Sequence, residues 1–258
     1  MSTQEQITHF RTIFSALRDE VGKIIVGHES IVDNTLVAIL AGGHVLLEGV
    51  PGLGKTLLVR TLGEVLDLSF SRIQFTPDLM PADILGTNLV METPDGRRLF
   101  EFQKGPIFAH LILADEINRA TPKTQSAMLE AMQEHSVTAG GALRRLTEPF
   151  FVLATQNPIE LEGTYPLPEA QLDRFLFKVE VPGVSADVMT QILTSRRRGQ
   201  APALEVALTA KEIDELFAFV DGIFLPQAVA NYIARLVAAT HPQRSDSLAA
   251  VQKNVRFG

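Results

Sequence analysis

At 258 residues, 46% hydrophobic and 21% charged, the chain has the balance of a soluble globular protein, with room for one large domain and a smaller second one. It contains no cysteine, which excludes disulfides, thiol nucleophiles and thiolate metal sites, and its six histidines lie far apart, in no metal-ligating pair. A formal net charge of −7 argues against a general nucleic-acid binder unless a local basic stripe overrides it.

The first residues, 1–14, are polar with charges of both signs, unlike a signal peptide. The longest apolar run, 36–43, falls far short of the roughly 20 residues a bilayer requires. A cytoplasmic protein without membrane insertion is therefore expected. Helical periodicity covers 4–23 and 29–42, and an apolar run at 45–48 reads as a buried strand. Then comes Gly49-Val50-Pro51-Gly52-Leu53-Gly54-Lys55-Thr56, followed from Leu57 to 66 by apolar residues at helical spacing. Further strand-like runs lie at 70–75, 111–115, 150–154 and 175–181, with a helical segment at 122–134. Strands alternating with helices predict a parallel sheet covered by helices. After Pro182-Gly183 the pattern turns to helices alone, at 185–197, 209–220 and 226–240. The expected organisation is an α/β domain over 1–182 and a small all-α domain over 183–258.

The segment Gly49 to Thr56 matches G-x-x-x-x-G-K-[ST], the phosphate-cradling loop of nucleoside triphosphatases, at the strand-to-helix turn its mechanism needs. Its glycines let successive backbone N–H groups face phosphate oxygens, and the helix N-terminus adds a favourable dipole. Lys55 would neutralise phosphate charge and the Thr56 hydroxyl would ligate Mg²⁺. The second motif is Leu111-Ile112-Leu113-Ala114-Asp115-Glu116, an apolar strand ending in two carboxylates. Beside a phosphate loop, Asp115 would hold Mg²⁺ and Glu116 would polarise an attacking water. A third apolar run, 150–154, ends in Thr155-Gln156-Asn157-Pro158, placing an amide where it could bond phosphate and water. Asn-Pro is also a common turn starter.

These motifs occur in a familiar order. The phosphate loop, Leu-Ala-Asp-Glu-Ile-Asn-Arg-Ala at 113–120, Pro-Lys-Thr-Gln-Ser-Ala-Met-Leu-Glu at 122–130, Ala-Thr-Gln-Asn-Pro at 154–158 and Leu-Pro-Glu-Ala-Gln-Leu-Asp-Arg-Phe at 167–175 together resemble the MoxR family of AAA+ ATPases. The resemblance implies a five-stranded parallel sheet with a helical lid, ATP/ADP and Mg²⁺ as cofactors, and a homo-oligomeric ring, usually a hexamer. It implies that Asn157 is the sensor-1 residue and that Arg174 reaches into a neighbour's ATP site; Arg174 could instead form an ion pair with Asp173 or Glu169. Val26-Gly27 is similar to the segment that contacts adenine through its backbone. Two hairpins are implied, one over 88–104 with its turn at Thr93-Pro94-Asp95-Gly96, and one over 136–146 centred on Gly140-Gly141. Their Arg97, Arg98, Lys104, Arg144 and Arg145, interleaved with Phe100 and Phe102, fit either a half-exposed hairpin or a nucleic-acid grip. The run Arg196-Arg197-Arg198 suits the solvated end of a helix. The family's sensor-2 arginine lies a few residues beyond a segment like Asn254 to Gly258, so Arg256 is not that residue and a truncated lid is expected. By resemblance the chain powers chaperone-like remodelling of protein clients, with partners that often carry von Willebrand factor A domains. The alternatives are a nucleic-acid motor and an ATP-switched scaffold.

Overall fold

The computed structural model describes residues 3–49, 54–92, 98–157, 163–183, 185–195, 203–205, 208–245 and 247–255. The turn expected at 93–96, with Arg97, the run 196–198, and 256–258 lie outside them. The chain divides into two compact units, 1–217 and 218–258.

The first unit begins with α1 (Thr3–Ile24) and α2 (Glu29–Leu40), followed by β1 (His44–Glu48) and α3 (Lys55–Val65). Strand β2 (Phe70–Gln74) leads through the short α4 (Pro81–Leu85) into a hairpin, β3 (Gly86–Glu92) and β4 (Arg98–Lys104). After β5 (Leu111–Asp115) come α5 (Pro122–Glu134) and a second hairpin, β6 (Ser136–Ala139) and β7 (Ala142–Arg145). Then follow β8 (Phe151–Gln156), α6 (Glu169–Leu172), β9 (Phe175–Glu180) and α7 (Ala186–Ser195), and α8 (Ala210–Asp221) runs through the division. The second unit holds α9 (Gln227–Ala239) and α10 (Ala249–Asn254).

Five strands form one sheet in the order β2-β5-β8-β1-β9, every neighbour pairing parallel. Parallel neighbours require crossovers, and these bury the strands on both faces. The near-continuous apolar runs at 45–47, 111–114 and 151–154 are the sequence cost of that double burial. Val45, Leu47, Leu111, Leu113, Phe151 and Leu153 pack on one side with Leu17, Leu36 and Leu62 from the first three helices. The alternate residues Leu46, Ile112, Ala114, Val152 and Ala154 pack on the other with Met128, Leu129 and Met132 of α5. Leu208, Ile213 and Leu216 join the α1 side. The compact division accordingly falls after Phe217.

The expected hairpins are present. Gly140 and Gly141 turn the second with φ of +61° and +78°, the pair of positive values a two-residue type I′ connection requires. The hairpins grip one another: Asn88 Nδ2 donates to Gly140 O at 3.2 Å, and the Arg144 guanidinium lies 3.5 Å from the centre of the Phe102 ring. A Cβ on Gly140 would stand 2.4 Å from Asn88 Oδ1, so a larger residue there would displace the Asn88 amide as well as strain the backbone.

Candidate nucleotide site

Because all five strands run the same way, the C-terminal ends of β1, β5 and β8 meet at one edge of the sheet. A cavity of about 430 Å³ opens there, lined by Gly49, Gly54, Lys55, Thr56, Leu57, Asp115, Glu116, Thr155 and Asn157, with Arg72 and Gln74 from β2. Three sequence-distant motifs are thus brought together. Val50, Pro51, Gly52 and Leu53, the middle of the phosphate loop, lie outside the described residues.

The ends of that loop are well defined. Gly49 N–H donates to Gln156 O at 3.2 Å, which ties the loop to the tip of β8. Gly54 precedes α3 at φ +76°, a left-handed value that suits glycine, and accepts the Leu58 N–H at 2.9 Å. Lys55 opens α3 and folds its Nζ back onto Gly49 O at 2.7 Å. Burial lowers its pKa from the ordinary lysine value, while the negative charges of Asp115 and Glu116 oppose that shift. Thr56, next in the helix, faces the same cavity.

Asp115 and Glu116 are joined through one hydroxyl. Thr155 Oγ1 donates to Asp115 Oδ1 at 2.7 Å and accepts the Glu116 N–H at 2.9 Å. Glu116 sits at φ +57°, ψ +48°, a left-handed conformation costly for a residue with a Cβ. Such strain persists where surrounding bonds over-determine it, and it clusters at functional sites. The same turn sends the two carboxylates to different partners. Asp115 Oδ2 accepts from Arg72 Nη2 at 2.6 Å and Nε at 3.2 Å. Glu116 Oε2 accepts from Gln74 Nε2 at 2.9 Å and Arg119 Nη1 at 3.0 Å. Asn157 is buried and lines the cavity beside them.

Two expected site elements lie apart from this cavity lining. Arg174 Nη1 donates to the carbonyl of Leu129 on α5 at 2.7 Å. Gly27, at φ +81°, packs against α7, where a Cβ would come 2.4 Å from Val188 Cγ1. Its neighbours Ile25 and His28 nevertheless share a narrow apolar cleft with Gly54, Lys55, Leu58 and Val181, so the Val26-Gly27 turn lies beside the phosphate loop. Burial lowers the His28 pKa, which favours a neutral ring in that cleft.

Sequence reading missed Arg72, Gln74, Thr155 and Arg119 as site residues. Arg72-x-Gln74 at the end of a strand was the available signal, since alternate strand residues share a face. Its meaning depends on β2 lying next to β5, and the two strands are about forty residues apart. Among the described residues no group of three or more His, Cys, Asp or Glu is placed to hold a metal, and no helix is long and apolar enough to cross a membrane.

A family model described as "ATPase family associated with various cellular activities (AAA)" matches residues 44–177, which span the phosphate loop, the Asp-Glu strand and the strand tip at Asn157. The protein named Chaperone MoxR1 of Mycobacterium tuberculosis is 46% identical over 93% of this chain and 62% of its own length. The uncharacterised protein YeaC of Bacillus subtilis is 45% identical over 87% of this chain and 70% of its own. The chain belongs to the MoxR family of AAA+ ATPases. A crystal structure of a Cytophaga hutchinsonii protein assigned as an ATPase superposes with a TM-score of 0.82 at 42% identity, covering 93% of this chain and 72% of that one. The fold is accordingly an AAA+ α/β core with helical segments towards the C-terminus. The chain spans about three fifths of the mycobacterial MoxR relative.

Proposed function

We propose that this MoxR-family chain hydrolyses ATP with Mg²⁺ at the interfaces of a homo-oligomeric ring, and that hydrolysis powers remodelling or activation of protein complexes. The observation that carries this reading is the convergence of Lys55, Thr56, Asp115, Glu116 and Asn157 on one cavity. The donor set suits Mg²⁺, a hard cation that favours one or two protein oxygens completed by phosphate and water. Thr56 and Asp115 would hold it, and when bound it would neutralise charge on the phosphates. In this reading Lys55 exchanges its bond to Gly49 O for phosphate oxygen. Glu116 orients and polarises the attacking water, and Asn157 bonds the terminal phosphate. Arg174 of a neighbouring copy completes the site, and the backbone of Val26-Gly27 contacts adenine. The lid is taken to begin at 183, and the protein to work in the cytoplasm.

A protein client, with or without a von Willebrand factor A domain partner, is favoured over nucleic acid. Arg144 stacks on Phe102 and donates from Nε to Ala139 O at 3.1 Å, and Lys104 stands 5.4 Å from the centre of the Phe108 ring. Those cations are engaged within the fold, whereas Val90, Phe100 and Leu143 are exposed on the hairpins. Exposed apolar side chains suit a protein partner.

Turnover of ATP by the full-length protein tests the assignment. Glu116→Gln should lower the rate by roughly 10²–10⁴-fold, the usual contribution of a general base, while nucleotide binding persists. Lys55→Ala should lose both. A Lys55→Ala protein that turns over normally sinks the reading.

A further inference from the structure

We propose that Arg72 is a charge gate on Asp115: its guanidinium holds the carboxylate that a divalent cation needs, and must let go before the cation binds. The proposal rests on the nucleotide site described above and adds a residue to it. Arg72 lies on β2, an edge strand of the sheet, two residues before Gln74, which pairs in register with Asp115 on β5. Its Nε and Nη2 both bind Asp115 Oδ2, at 3.2 and 2.6 Å, while Thr155 takes Oδ1. Both carboxylate oxygens are therefore engaged by donors of the chain itself. Arg72 Nη2 also donates to Gln74 Oε1 at 2.5 Å, which fixes the plane of the guanidinium.

This arginine is not a buried structural pairing. Its side chain is 46% exposed, against 16% for Asp115, and it lines the cavity together with Lys55 and Thr56. A cation held by Thr56 and Asp115 would share that cavity with the guanidinium, and like charges a few ångströms apart repel. Two cations compete for one carboxylate oxygen, and Arg72, half in solvent, is the one free to swing away. Departure of Arg72 also removes a bond from Gln74, whose amide holds Glu116. Cation binding at Asp115 is thus linked to the side chain proposed to polarise water.

The test is a titration of Mn²⁺ into full-length protein saturated with ADP, with free Mn²⁺ followed by its paramagnetic resonance. ADP affinity in chelator, without metal, is measured alongside. Arg72→Met should bind Mn²⁺ about tenfold more tightly, the order expected for removing one nearby like charge in a partly solvated site, a gain that exceeds any loss of metal-free ADP affinity. Arg72→Lys, which keeps the charge, should stay within about threefold of the unaltered protein. Mn²⁺ affinity in Arg72→Met that is unchanged or weaker overturns the gate and makes Arg72 a support for Asp115. A matching loss of metal-free ADP affinity overturns it too, in favour of a phosphate ligand. Unaltered protein that binds no Mn²⁺-ADP brings down this proposal together with the nucleotide site.

Discussion

His44 opens β1 with both ring nitrogens engaged. Nδ1 accepts the Val152 N–H at 3.1 Å, so the proton resides on Nε2, which faces Met132 O at 3.2 Å. Protonating Nδ1 would set a donor against a donor inside the core, and burial lowers the pKa from 6.5 to about 4. Between those values the unfolded chain binds a proton that the folded chain refuses, so stability rises with pH across the window. The contribution is fully present above pH 6.5 and lost as pH falls to about 4. The loss amounts to about 3 kcal/mol once the pH is below about 4. Denaturant unfolding of His44→Gln and the unaltered chain should show a shallower decline between pH 7 and 4.5 in the variant; parallel declines would remove His44 as the cause. The same scale shows what sequence leaves hidden. Lys55, Asp115 and Glu116 were legible because their neighbours in the chain announce them. Arg72 and Thr155 were not, because each acquires its role from a strand that is adjacent only in space.

Among the elements, those with two buried faces were the easiest to foresee, and the differences lie at their ends. The apolar run at 150–154 predicted a strand that stops at Ala154, yet β8 continues to Gln156. Its register against β1 pairs Leu47 with Thr155 and Glu48 with Gln156, and Thr155 is fully buried with its hydroxyl bonded. Helix α2 was expected to 42 and ends at Leu40, because Gly42 turns to φ +66° and Gly43 N–H returns to Ala38 O at 2.8 Å. The hairpins were placed correctly, but their mutual docking was not foreseeable, since it couples Phe102 to Arg144 across α5 and β5 in the chain. A double-mutant cycle of Phe102→Leu and Arg144→Met should give a coupling energy of about 0.5–2 kcal/mol, the range for a cation over an aromatic face at a partly solvated site. Additive losses would show that the stacking contributes nothing.

For the whole molecule, the decisive question is whether the site is completed in trans. Arg174 is held by α5 of its own chain and is not among the residues lining its own cavity. If it serves a neighbour, Arg174→Ala and Lys55→Ala chains, each inactive alone, should recover turnover when mixed. A mixed ring pairs an intact phosphate site with an intact arginine, and such an arginine is worth about 10³–10⁵-fold in comparable phosphoryl transfer. Mixtures as inactive as their components would place the arginine elsewhere. The clasp between the hairpins also has a mechanical meaning. β4 leads within a few residues into β5, which ends at Asp115, and β7 leads likewise into β8, which delivers Asn157. Each strand is a stiff rod of roughly 17–20 Å. Because Asn88 and Arg144 bind the prongs together, the segments that lead to Asp115 and to Asn157 start from one clasped block rather than from two independent hairpins.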